Sequence, residues 1–109
     1  MKDAIIRALD WLEENPDKHI ADSYALTKDG YVCDPNEPEA DCFCVVGRIA
    51  HELGQEIFET EDQMGDHNLS AAEIEDMQDQ LIEKGLKAEA IGSVKFMVNL
   101  SYKEIDNGI

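Results

Sequence analysis

One stretch decides what this chain can fold around: residues 41–54, Asp-Cys-Phe-Cys-Val-Val-Gly-Arg-Ile-Ala-His-Glu-Leu-Gly, the single apolar block in an acidic sequence. Apolar side chains recur at Phe43, Val46, Ala50 and Leu53, with Val45 and Ile49 widening the same face, which is the spacing of a helix with one buried side. Asp41 is placed to accept hydrogen bonds from the amides of a first turn, and Gly54 to take the left-handed conformation that ends a helix. The block therefore predicts a buried central helix capped by Asp41, with Cys42 and Cys44 in its first turn. Gly47, in the middle of it, costs about 1 kcal/mol relative to Ala. That is tolerable where another backbone, the hairpin or the first helix, passes close by.

The other elements are expected to pack around this block, and 109 residues suit one domain, 1–109. Ile5, Ala8, Leu9 and Leu12, with Ile6 and Trp11 alongside, predict a first helix over residues 4–14 that stops at Asn15-Pro16. Tyr24-Ala25-Leu26-Thr27 and Tyr31-Val32-Cys33 flank Lys28-Asp29-Gly30, a tight-turn sequence, and predict a short hairpin with Tyr24, Leu26 and Tyr31 turned toward the central helix. The second half repeats Asn-Leu-Ser-x-x-Glu-Ile, once from Asn68 and once from Asn99. Each copy is a capping box with a hydrophobic staple, Ser bonding the amide of the Glu and the Leu packing on the Ile. They predict a helix over 71–84 closed by Gly85, and a short last helix from Tyr102. Between them, Leu86, Ala90, Val94, Met97 and Val98 fit a helix, while Val94, Phe96, Val98, Leu100 and Tyr102 alternate as a strand does. Helix is preferred because Leu100 serves as the staple. The expected fold is mainly α, four or five helices with one short β-hairpin, and α+β if residues 94–102 are a strand.

Charge is distributed unevenly. The net charge is −16, and residues 55–83 carry ten Asp/Glu and no Lys or Arg, whereas residues 85–109 are neutral. A field of that sign repels nucleic acid and membrane surfaces and attracts basic partners. No stretch approaches the ~18 apolar residues of a membrane span, and the amino terminus has no signal-peptide core, so a soluble cytoplasmic protein is expected. Cys33, Cys42 and Cys44 are an odd set with Cys42 and Cys44 nearly adjacent, which predicts reduced thiols.

Trp11, Tyr24-Ala25, Asp29-Gly30, Val32, Asp34-Pro35, Glu39-Ala40 and Cys42-Phe43-Cys44-x-x-Gly47 together resemble, in order and spacing, a family of short, uncharacterised bacteriophage and bacterial proteins. The resemblance covers residues 11–54. It implies a phage-like origin, and the host cytoplasm as location, but no chemistry. Arg48 departs from the small residue usual after that glycine.

Three constellations bear on chemistry, and each has a structural explanation. Residues 62–73 have the length of a calcium-binding loop, with Asp62, Asp66, Asn68, Ser70 and Glu73 at ligand positions. Met64 stands at a ligand position, however, and His67 replaces the turn glycine, so the capping box accounts for Ser70 and Glu73. Cys33, Cys42, Cys44 and His51 are four zinc-ligand types without zinc-site spacing. A thiolate at Cys42 or Cys44, favoured by a helix dipole, would need His51 as base, yet seven residues of helix put His51 about 10 Å along the axis from Cys44. His19 and His67 sit in polar links with no partner pattern. No catalytic residue, metal or cofactor is assigned, and the chain is not read as an enzyme.

What remains is binding. The helix over 71–84 carries Glu73, Glu75, Asp76, Asp79 and Glu83, about one charge per 3.3 Å of axis, close to the ~3.4 Å spacing along one DNA strand. The expected partner-binding face is Glu59, Glu61, Asp62, Asp66, Glu75, Asp76, Asp79 and Glu83. The partner expected for it is a basic protein surface, a host or phage nucleic-acid-binding protein whose groove the acidic face occupies as a nucleic-acid mimic, in an inhibitory anti-defence or host-takeover role. Direct nucleic-acid or membrane binding is not expected. The alternative is an interaction or assembly protein whose acidity serves solubility alone.

Overall fold

The computed structural model describes residues 1–107, with side chains through Lys103. Helix α1 (Lys2–Glu14) turns Ala4, Ile5, Ala8, Leu9 and Leu12 inward. It stops at Asn15, whose side-chain amide donates to the Trp11 carbonyl at 2.8 Å, and a 3-10 turn follows at Pro16–Lys18. Helix α2 (Val45–Leu53) is the expected centre: it buries Val45, Val46, Gly47, Ile49 and Ala50 and packs against α1, α3 (Ile57–Asp66) and α4 (Ala71–Glu83). Helix α5 (Lys87–Asn107) closes the other side of α1 and α4 through Ala90, Ile91, Val94 and Val98. Among the described residues, five α-helices and one strand pair bear out the mainly α expectation, and residues 94–102 are helix, not strand. No described helix is long and apolar enough to cross a membrane.

The strand pair exists with a different second strand. β1 (Ala25–Thr27) runs antiparallel to β2 (Ala40–Phe43), Ala25 beside Phe43 and Leu26 beside Cys42. The expected turn does form, with the Gly30 amide donating to the Thr27 carbonyl at 2.9 Å. Residues 31–33, however, contribute only one bridge, Leu26 to Val32, and Tyr31 and Val32 are 72% and 77% exposed instead of facing α2. The preference has a physical basis: β2 brings the fully buried Phe43 ring, which meets Trp11 edge-on with centroids 5.6 Å apart, whereas residues 31–33 bring nothing comparable to the core.

Because residues 40–43 are strand, α2 begins later than the sequence suggests. Asp41 is not its cap and pairs with Lys18 at 3.0 Å. The cap is Cys44, whose Sγ accepts from the Gly47 amide at 3.3 Å, so Cys42 lies outside the helix altogether. Gly47 meets the expected close backbone: a Cβ there would overlap the Tyr24 carbonyl. Arg48 fills its place by lying over Trp11, 3.9 Å from the ring centre, and pairing with Glu52 at 2.9 Å.

The two capping boxes separate. Ser70 caps α4 as expected, accepting from the Glu73 amide at 3.2 Å with Leu69 and Ile74 both buried. At the other end Gly85 closes α4, the Leu86 amide reaching the Leu81 carbonyl and the Gly85 amide the Ile82 carbonyl. Ser101, by contrast, lies inside α5, buried, with its hydroxyl donating to the His67 carbonyl, and Leu100 is exposed. The last helix from Tyr102 is thus a continuation of α5. A local start signal lost to burial, since the Ile91, Val94, Val98, Ser101 face runs unbroken along the core.

Candidate functional site

Helix α3 has no apolar stripe, only Thr60 and Met64 buried, and the sequence reading did not anticipate it. It matters because it sets a second acidic helix beside α4. Between α4 and the segment entering β1 lies a cleft of about 240 Å³ lined by Asp22, Ser23, Tyr24, Cys44, Glu75, Gln78 and Asp79. Tyr24 stands at its wall, the hydroxyl donating to Glu61 of α3 at 3.3 Å. A phenol has one proton to give, and Glu75 of α4 is left with Oε1 buried and no hydrogen-bond partner. Burial, then the charges of Glu61 and Asp79, push the Glu75 carboxyl above its ordinary range. Burial and the same two glutamates push the Tyr24 phenol up to about 12.

Of the eight acids expected on the partner face, Glu61, Glu75 and Asp79 are half-buried and converge at or beside the cleft, with Asp79 also accepting from the Gln78 amide at 3.1 Å. Glu59, Asp62, Asp66, Asp76 and Glu83 are exposed. Tyr24 and Asp22, whose backbone is left-handed at φ 68°, join the site from a segment read only as structural. Phe58, 74% exposed among these acids, was also not singled out. Its only sequence signal is an aromatic side chain within the acidic run. Among the described residues, all ion pairs lie on α1, α2, β2, α5 or the 3-10 turn, and none engages a carboxylate of α3 or α4.

The other constellations resolve structurally. Asp62 and Asp66 are inside α3 and cannot wrap a calcium ion as a loop does. Among the described residues, no three His, Cys, Asp or Glu side chains gather as a metal site. Cys44 is 3% exposed and burial pushes its thiol up to about 12, the reverse of the shift expected from a helix dipole. Burial also raises Cys33 and Cys42. His51 is engaged elsewhere, its Nδ1 2.7 Å from the Pro35 carbonyl and its ring against Phe43.

His19 is no polar-link residue. It is 1% exposed, with Nε2 3.0 Å from Gln78 Oε1, and the same oxygen accepts from the Val45 amide at 2.9 Å. An oxygen already accepting from an N–H leaves His19 as the Nε2–H donor, so Nδ1 is a buried lone pair without a partner. Burial lowers the pKa of this imidazole.

No protein-family model, curated protein or solved structure matches the chain.

The raised Glu75 carboxyl carries a sign. Its charged form disfavours the fold at neutral pH, and the penalty lifts as pH falls through its raised value toward the ordinary 4.5, where the folded state takes up the proton first. Glu75→Gln is therefore expected to raise the melting temperature at pH 7. The gain should shrink to nothing in acid, as followed by circular dichroism across the pH range.

Proposed function

We propose that the protein acts by binding, and that its acidic α3–α4 face docks on a basic surface of a nucleic-acid-binding protein, competing there with nucleic acid. The observation that supports this reading best is the set of carboxylates in residues 55–83, ten in all and nine of them on α3 and α4, none neutralised by an ion pair among the described residues. Solubility alone asks for dispersed, fully hydrated charge. Here Glu61, Glu75 and Asp79 are instead crowded and partly dehydrated at the cleft, an arrangement unfavourable to the free protein that an incoming cation relieves. The cleft admits one Lys or Arg side chain, with the guanidinium of Arg suited to bridge Glu75 and Asp79. The exposed carboxylates Glu59, Asp62, Asp66, Asp76 and Glu83 supply the longer-range attraction, and Phe58 an apolar anchor among them. The phage-like origin implied by the sequence resemblance is compatible with an inhibitor of a host factor, a role that rests on the acidic face and not on the resemblance.

The test is retention of host-lysate proteins on the immobilised chain, washed over a salt gradient. Basic nucleic-acid-binding proteins are expected to be retained at low salt, displaced by single-stranded DNA, and lost when Glu59, Asp62, Asp76 and Glu83 are changed to Lys. Those four positions are exposed, so the variant should keep its helicity. Retention that ignores both salt and the charge reversal makes the acidity a solubilising surface only.

A further inference from the structure

Helix α5 carries a feature that packing within the chain does not explain. Gly92 sits in its interior, where glycine is disfavoured relative to alanine, and a Cβ there would meet nothing within 4 Å. Beside it on the exposed face stand Phe96, 68% exposed, and Leu100, 46% exposed. Glu89 and Lys103, both exposed, extend the same stripe. At 100° per residue all four lie within about 40° of the direction of Phe96, and the stripe runs about 21 Å from end to end.

We infer that this stripe is a self-association surface, on which a second copy of the chain lays its own α5 antiparallel about Phe96. Charge selects both the occupant and the direction. The chain carries −16, and ten of its carboxylates lie in residues 55–83, so two copies meeting at α3 and α4 oppose like charges, whereas residues 85–109 are neutral. In a parallel pair Glu89 meets Glu89 and Lys103 meets Lys103. In the antiparallel pair centred on Phe96, Glu89 is level with Lys103 of the second copy, twice by symmetry. The same register sets Leu100 of each copy level with Gly92 of the other, where the missing Cβ makes room for the leucine and for close approach of the two backbones. The two Phe96 rings meet at the axis. One helix pair covers less than the about 800 Å² per partner of a standard interface, so the association is a weak, reversible one.

Sedimentation equilibrium of the full chain tests this. A monomer–dimer equilibrium is expected in the micromolar-to-millimolar range, tightening as salt screens the general repulsion, the opposite of the salt response of the acidic face. Phe96→Asp should weaken it roughly tenfold or more, the effect of losing a central aromatic, with helicity unchanged. Gly92→Leu should hold or raise the melting temperature of dilute protein while weakening the dimer, which a purely structural role for the glycine does not produce. Lys103→Glu should weaken the dimer and the double exchange Glu89→Lys with Lys103→Glu should restore it. A parent monomeric up to millimolar concentration, a Phe96→Asp variant that associates like the parent, or a double exchange that restores nothing overturns the proposal.

Discussion

Gly47→Ala is expected to destabilise the fold by about 3 kcal/mol or more, although alanine is the better helix former by about 1 kcal/mol. The added carbon falls on the carbonyl of Tyr24, which is main chain and cannot rotate aside. That carbonyl is also committed, since it accepts from the Cys44 amide at 3.2 Å where the chain turns into α2, and the next residue, Ala25, opens β1 against Phe43. Moving it pulls the strand pair off the helix and Phe43 out of the core. Gly47→Leu adds a branched side chain to the same overlap and should leave no cooperative unfolding transition. The matching control is Gly92→Ala in dilute protein, where open space means the substitution should stabilise. Urea unfolding of the two alanine variants should therefore shift in opposite directions. A Gly47→Ala midpoint equal to or above the parent's removes the close approach of Tyr24 from the fold.

That a backbone passes close to Gly47 was readable from the residue alone, because a mid-helix glycine needs a reason and local packing offers few. Helix α4 was readable for a similar reason: its start, at Leu69, Ser70 and Ile74, and its stop, at Gly85, are each written in a few neighbouring residues. What escaped the sequence reading is what depends on distant partners. β2 replaced residues 31–33 because of where Phe43 is buried, and turn chemistry carries no information about that. Cys44 became a cap, a role its side chain rarely takes, once the strand had absorbed Asp41. Ser101 kept the pattern of a cap and lost the function, since Val94 and Val98 continue the core face straight through it. Helix α3 shows the limit of periodicity: with two buried residues it leaves no stripe, and it is held by its neighbours and by the backbone bonds from the His67, Asn68 and Leu69 amides that close its C-terminal end. The acidic character of the candidate site was legible from composition. Its shape was not, because Tyr24 and Asp22 reach it from a segment some forty residues before Glu61 and fifty before Glu75.

The same distinction between local pattern and distant partner makes Gln78 the second position at which a large effect is expected. Its place in the sequence is unremarked, between Met77 and Asp79, yet it is 1% exposed and its Oε1 accepts from both the first amide of α2 and the His19 ring. One side-chain oxygen thus ties α4 to α2 and to the link after α1. Gln78→Leu keeps the volume and leaves the Val45 amide and the His19 Nε2–H buried without acceptors. At about 1–3 kcal/mol for each of the two orphaned groups, the loss should reach about 2–6 kcal/mol. A pH signature separates this from simple repacking. His19 is held below its ordinary value of 6.5 by burial, so the unfolded chain takes up a proton before the folded one does, and the contribution of the neutral ring to stability is full above pH 6.5 and lost as pH falls below it. The Gln78 bond opposes that depression, so its removal should lower the pKa further and extend the acid loss of stability to lower pH. Unfolding free energies measured for parent and Gln78→Leu between pH 5 and 8, with His19→Asn as the variant that lacks the slope, read both effects. A Gln78→Leu protein as stable as the parent would show that water or another group satisfies the Val45 amide and the imidazole, and would remove Gln78 from the joint between the helices.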